Sequence, residues 1–202
     1  MRRPQHAALT VPPRGPLRGE AKLQAALEHF GVDVRGRTAL DVGAAAGGFT
    51  TVLLRAGAAR VYAVDAGHGQ LLGSLRQDAR VVNLEAINVS RVDAVLVPAA
   101  IDVVTIDVSY LSLSQAAAQL DRVRFARHAD LIGLVKPMFE LRRATAPTDG
   151  ASVDEAVQRA VAGVSAAGWT VAGAMPSPVT GARGAPEWLL WARRSDRPSE
   201  NA

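Results

Sequence analysis

Apolar positions along the chain follow two rhythms that replace one another in turn. Leu23, Ala26, Leu27 and Phe30 recur at helical spacing within residues 20–30, and Gly31 follows as a stop signal. Compact apolar runs then predict strands at 38–42, 61–64, 81–84, 101–106, 131–135, 170–174 and 188–192. Helical patterns at 47–56, 70–76, 112–122 and 154–167 are interleaved with them. Runs such as Val103-Val104-Thr105-Ile106 do not alternate with polar residues, which suits strands covered on both faces. Strand and helix taking turns along the chain predict an α/β fold, a doubly wound, mostly parallel sheet. No internal repeat is present. The last ten residues read as frayed, with 195–202 a disordered tail.

Composition narrows the class. At roughly 150 residues per domain, 202 residues favour one domain, assigned to 19–194. A hydrophobic share of 49% with 21% charged residues excludes a disordered chain. The absence of Cys excludes disulfides, thiolate metal sites and a Cys nucleophile. His6, His29, His68 and His128 lack metal-ligand spacing, so no metal is expected. No apolar run approaches the ~18 residues of a membrane helix, and residues 1–13 hold no secretory core, so a cytoplasmic protein is expected.

Charge is unevenly placed. The formal net charge is +4, and residues 1–22 account for it with Arg2, Arg3, Arg14, Arg18 and Lys22 against Glu20. Residues 1–18 therefore read as a basic arm, kept extended by Pro4, Pro12, Pro13 and Pro16 and suited to a polyanion such as RNA, or as a plain solvated tail. Lysine is scarce: of 23 cationic residues only Lys22 and Lys136 are lysines. In a chain that otherwise uses arginine, a retained lysine is either a place where a dissociable ammonium is useful, because guanidinium does not lose its proton, or an ordinary surface lysine kept by chance.

Three segments carry candidate chemistry. Residues 40–50, LDVGAAAGGFT, read as a strand, a tight glycine turn and a helix start, where Gly43, Ala44, Gly47, Gly48 and Phe49 can bring backbone N–H groups to an anion. Ala45 stands where a dinucleotide fingerprint needs its second glycine, so this form points to S-adenosylmethionine instead. Asp65 closes the second strand 22 residues after Gly43, placed to accept ribose hydroxyls, and Asn88 after the third strand could meet an adenine edge. Asp107 and Lys136 close the fourth and fifth strands, and Glu187 opens the last one. A strand-end Asp beside a strand-end Lys is either a plain ion pair or an active site.

These segments, with RGEAKLQAAL, VVTIDVSYLSL, LVKPMFE and SPVTGARGAPEWLL, stand in the order and spacing of one family. From about Leu17 to Arg193 the sequence resembles the TlyA (haemolysin-like) branch of FtsJ-type methyltransferases. The resemblance implies a class I, Rossmann-like fold with an antiparallel last strand, S-adenosylmethionine as cofactor, and methylation of ribose 2′-hydroxyls in ribosomal RNA. It places a catalytic tetrad on Lys22, Asp107, Lys136 and Glu187, with Asp107 also bordering the cofactor. Lys136 is then read as the base, Asp107 as its orienting partner, and Glu187 as orienting Lys22 or the incoming hydroxyl.

The sequence also departs from that family. A Pro/Arg-rich stretch stands where its members carry an S4-type RNA-binding domain. LRRATAPTDGASVD replaces a Gly/Lys-rich stretch after Lys136, and Ala185-Pro186 replace the usual Asn before the family's Glu. RNA contacts are assigned to Arg18, Arg142 and Arg143, with Arg122, Arg124 and Arg127 in support. The competing acceptor is a small hydroxylated molecule or nucleoside, and a non-catalytic RNA-binding relative is the third reading.

Overall fold

The structure is a computed structural model that describes residues 15–194. Most of the basic arm and the whole 195–202 tail lie outside the described residues. Helix α1 (Arg18–Phe30) ends at Gly31 in the left-handed region (φ 66°), which glycine adopts without a Cβ penalty. It is followed by β1 (Thr38–Val42), α2 (Gly48–Arg55), β2 (Arg60–Asp65), α3 (Gly73–Arg76), β3 (Val81–Glu85) and β4 (Ile101–Ile106). Then come α4 (Leu113–Ala118), β5 (Phe125–Val135), α5 (Pro137–Glu140), α6 (Gly150–Ala166), β6 (Trp169–Pro176) and β7 (Trp188–Arg194).

The seven strands form one sheet in the order β3-β2-β1-β4-β5-β7-β6. All pairings are parallel except the two made by β7, which runs against β5 and β6. Pleating sends successive side chains to opposite faces, and both faces are covered. Leu40, Tyr62, Val104 and Leu131 pack with Ala116, Ala160 and Val164 of α4 and α6. Ala39, Val61, Val103 and Ile132 pack with Leu23, Ala26, Val52 and Leu53 of α1 and α2. Full burial of each leucine or valine contributes about 1.5–3 kcal/mol.

Several boundaries differ from the sequence reading. β5 begins at Phe125 and not at 131, because Ile101 and Val103 of β4 pair with Phe125 and Asp130 across a register shift. The residues after Lys136, read only as a strand stop, form the short helix α5 with Pro137 at its first turn, where a missing N–H costs nothing. α6 starts at Gly150, four residues before the reading, because Asp149 caps it by accepting the Ser152 N–H at 2.8 Å. Arg193 and Arg194, read as frayed, are the last residues of β7.

Candidate active site

Strand order reverses between β1 and β4, and the carboxyl ends of such strands open a crevice. The turn after β1 is held between its neighbours there: Gly43 N–H donates to Val64 O of β2 at 2.8 Å, and Asp107 N–H, just past β4, donates to Val42 O of β1 at 2.9 Å. Gly43 has φ 88°, and any side chain on it would collide with the Asp107 carbonyl. Ala45 is held at φ 46°, a conformation that costs a non-glycine residue roughly 1–2 kcal/mol. Its N–H is fastened to Asp65 Oδ2 at 2.8 Å. Asp65 Oδ1 accepts the Gly67 N–H at 2.6 Å, so each carboxylate oxygen keeps a lone pair for a further donor.

The floor of this turn is a buried carboxylate. Asp41 is 0% exposed and accepts hydroxyl donors from Thr50 (2.6 Å) and Thr105 (2.9 Å). Burial pushes its acid up from 3.8 to about 6 despite those bonds. Above the turn, a cavity of about 130 Å³ is lined by Leu17 and Gly19 at the α1 start, by Gly43, Ala44 and Phe49, and by Asp107.

A second cavity, of about 180 Å³, opens beside it. Residues 137–139 and Ala146 form one wall, Ala182, Ala185 and Pro186 the other, and Lys136, Ser109 and Glu187 also border the space. Lys136 is the N-cap residue of α5, and its ammonium meets Asp107 Oδ1 at 2.7 Å, Val108 O at 2.8 Å and Ser109 Oγ at 3.0 Å. Asp107 therefore borders one cavity while paired to a lysine that borders the next. Lys22, one helical turn after Gly19, donates to Glu187 Oε2 at 2.6 Å, and both side chains are more than nine-tenths buried. Because β7 is antiparallel, its first residues lie at the same end of the sheet as the last residues of β5, and Trp188 pairs with Val135. All four tetrad positions thus come to one end of the sheet as two lysine–carboxylate pairs.

The remaining candidates are less uniform. Asn88 is exposed and uses its carbonyl oxygen to accept from Ser90 N–H and Oγ, each at 3.0 Å, as the cap of a short turn. Arg18 donates to the carbonyls of Thr180 and Gly181, fastening the β6–β7 connection to α1. Arg143 donates to Ser152 Oγ at 2.9 Å, and Arg142 is exposed at φ 53°. Arg122 and Arg124 donate to the carbonyls of Ser90 and Pro98. Arg127 sits near the start of β5, about 30 Å of strand from Lys136, outside the cavity mouth.

Sequence reasoning missed four contributors. Ser109 and the Val108 carbonyl hold Lys136, and a backbone carbonyl leaves no mark in a sequence. Glu140 is buried and accepts from Leu113 N–H (2.7 Å) and Ser114 Oγ (2.9 Å), tying the turn after Lys136 to the helix after Ser109; burial raises its acid. Glu85, which pairs with Asp65 across β2 and β3, accepts the N–H groups of Leu71 and Gln70 and an Asn83 amide. Those bonds, Leu71 first, hold its acid down at about 2.

A family model described as FtsJ-like methyltransferase matches residues 17–194. The Mycobacterium tuberculosis protein named 16S/23S rRNA (cytidine-2′-O)-methyltransferase TlyA is 41% identical over 186 residues, covering 89% of this chain and 69% of its own. A solved hemolysin-type protein from Lactococcus lactis superposes with TM-score 0.83 at 32% identity, over 89% of this chain and 88% of that one. An S-adenosylmethionine dependent methyltransferase from Mesorhizobium loti shares the fold alone, with TM-score 0.62 at 12% identity, over 88% of this chain and 100% of that one.

Proposed function

The chain belongs to the FtsJ-like methyltransferase family, and from that premise we propose that it transfers a methyl group from S-adenosylmethionine to a ribose 2′-hydroxyl of RNA, ribosomal RNA being the favoured acceptor. The observation that carries this reading is the Asp107–Lys136 pair, which links two cavities. Asp107 borders the glycine-loop cavity, and its partner Lys136 borders the neighbouring cavity with Glu187. The name of the Mycobacterium tuberculosis relative supports the ribose acceptor.

The residues at the first cavity fit the cofactor. Its lining is backbone and small side chains apart from Leu17, Phe49 and Asp107, as the methionine end of such a molecule requires. The Gly43–Gly48 turn would hold that end and Asp65 the ribose hydroxyls. When bound, S-adenosylmethionine supplies an electrophilic methyl group on a sulfonium.

The chain's own residues then have separable tasks. Asp107, anchored by its N–H on β1, aims the Lys136 Nζ. In its neutral amine form, once its extra proton has passed to solvent, Lys136 takes the hydroxyl proton as the acceptor oxygen attacks. Ser109 can reverse its hydroxyl from acceptor to donor, which lets it follow Lys136 through both protonation states. Glu187, held by Lys22, faces the acceptor cavity and orients the incoming hydroxyl. A placed base contributes on the order of 10²–10⁴ in rate. Lys136→Arg keeps the charge and should abolish methyl transfer to RNA while cofactor binding by calorimetry persists. Near wild-type transfer by that variant would remove Lys136 as the base. Labelled methyl appearing in small hydroxylated molecules and not in RNA would transfer the reading to the competing acceptor.

A further inference from the structure

Among the described residues, four non-glycine residues occupy the left-handed region: Ala45, Ala86, Arg142 and Arg183. All four lie in turns at one end of the sheet. Ala45 belongs to the glycine turn and Ala86 follows β3, whereas the two arginines stand beside opposite walls of the acceptor cavity, Arg142 three residues after the lining residue Phe139 and Arg183 next to the lining residue Ala182. Arg142 lies just beyond α5, two residues after Glu140, with its N–H on Phe139 O at 3.2 Å. Arg183 tops the turn between Ala182 and Ala185, closed by Gly181 N–H on Ala185 O at 2.7 Å. Both are exposed, and neither side chain makes a hydrogen bond or ion pair among the described residues. That sets them apart from Arg18 and Arg143, whose guanidinium groups are used inside the protein.

A left-handed arginine costs roughly 1–2 kcal/mol and is retained where the turn must present the side chain in a fixed direction. Two unpaired guanidinium groups flanking one opening match two phosphates of a continuous backbone, each group offering a fork of donors to phosphate oxygens. The geometry points to Arg142 and Arg183 as a two-sided phosphate grip that holds the nucleotides on either side of the acceptor ribose. It rests on the reading of an RNA acceptor and sharpens it: the acceptor is a nucleotide inside a chain, and a free nucleoside, lacking those phosphates, is a poor substrate. Arg183 was not singled out from sequence, where an arginine between glycines reads as an ordinary loop residue.

The test is the double variant R142N/R183N, because asparagine occupies the left-handed region more readily than arginine and the fold should tolerate it. Binding of a short labelled single-stranded RNA is titrated against salt by anisotropy, alongside methyl transfer to the same RNA. Two lost phosphate contacts should reduce the slope of log affinity against log salt by about 1.4. The KM for RNA should rise at least about tenfold, with cofactor affinity and Tm unchanged. An unchanged slope and KM in the variant, or wild-type RNA binding without salt dependence, overturns the grip. RNA binding that shows the expected slope loss without any methyl transfer upholds the grip and removes the ribose-methylation reading instead.

Discussion

Glu187→Gln tests the buried pair at the back of the acceptor cavity. In the folded protein Lys22 and Glu187 are 2.6 Å apart with side chains 8% and 7% exposed, and Lys22 has no other partner among the described residues. Replacing the carboxylate by an amide leaves a buried ammonium without its counter-charge, which costs about 3–5 kcal/mol. For a chain of this length each kcal/mol moves Tm by about 2–4 °C, so the variant should melt on the order of 6–20 °C below wild type. Lys22→Met alone should cost a similar amount by stranding Glu187. Lys22→Met with Glu187→Gln together should recover most of the loss, since neither buried charge remains. Urea unfolding of the four proteins gives the coupling free energy directly. Additive losses, or single losses under 1 kcal/mol, would refute a buried pair held by mutual compensation. The double variant should be folded and inactive, which separates the pair's part in stability from its part in turnover.

Asp41 makes stability depend on pH in the unusual direction for a carboxylate. Its folded acid lies at about 6 against 3.8 unfolded, so between these values the folded chain retains a proton that the unfolded chain has released. That contribution to stability falls as pH rises through the window and is level above it. A displacement of that size corresponds to roughly 3 kcal/mol, so Asp41→Asn should gain up to that amount relative to wild type between pH 4 and pH 7, read by urea unfolding across pH; a flat difference refutes it. Gly43→Ala should lose cofactor affinity and RNA methylation together, because the added methyl group displaces the Asp107 carbonyl and with it the turn that aims Lys136. Calorimetry and turnover check it, and wild-type values for both would show that the two strand-end turns do not need their close approach.

Most of the sheet was legible because its central strands are buried on both faces and show as unbroken apolar runs. The first half of β5, Phe125-Ala126-Arg127-His128, was not, since its polar, partly exposed residues resemble a loop and only pairing with β4 makes them a strand. α5 escaped because a proline that ends one element also opens the next. Among candidate site residues, Lys22 and Lys136 stood out by rarity, and Asp65 and Asp107 by their strand-end positions. The engagement of Arg18 and Arg143 was not readable, because a long side chain chooses its partner only after the tertiary fold has placed one within reach.

The reversed direction of β7 has an architectural consequence. Had that strand run with its neighbours, Glu187 would open at the far rim and Arg194 would stand in its place. The β6–β7 connection therefore supplies one wall of the second cavity from a contiguous stretch of chain, facing the wall that residues 137–139 and Ala146 supply. The wall from that connection is fastened to the α1 start that lines the first cavity, because Arg18 donates to the carbonyls of Thr180 and Gly181 and Lys22 holds Glu187, so exchanging residues 177–187 for those of a relative is felt on both sides.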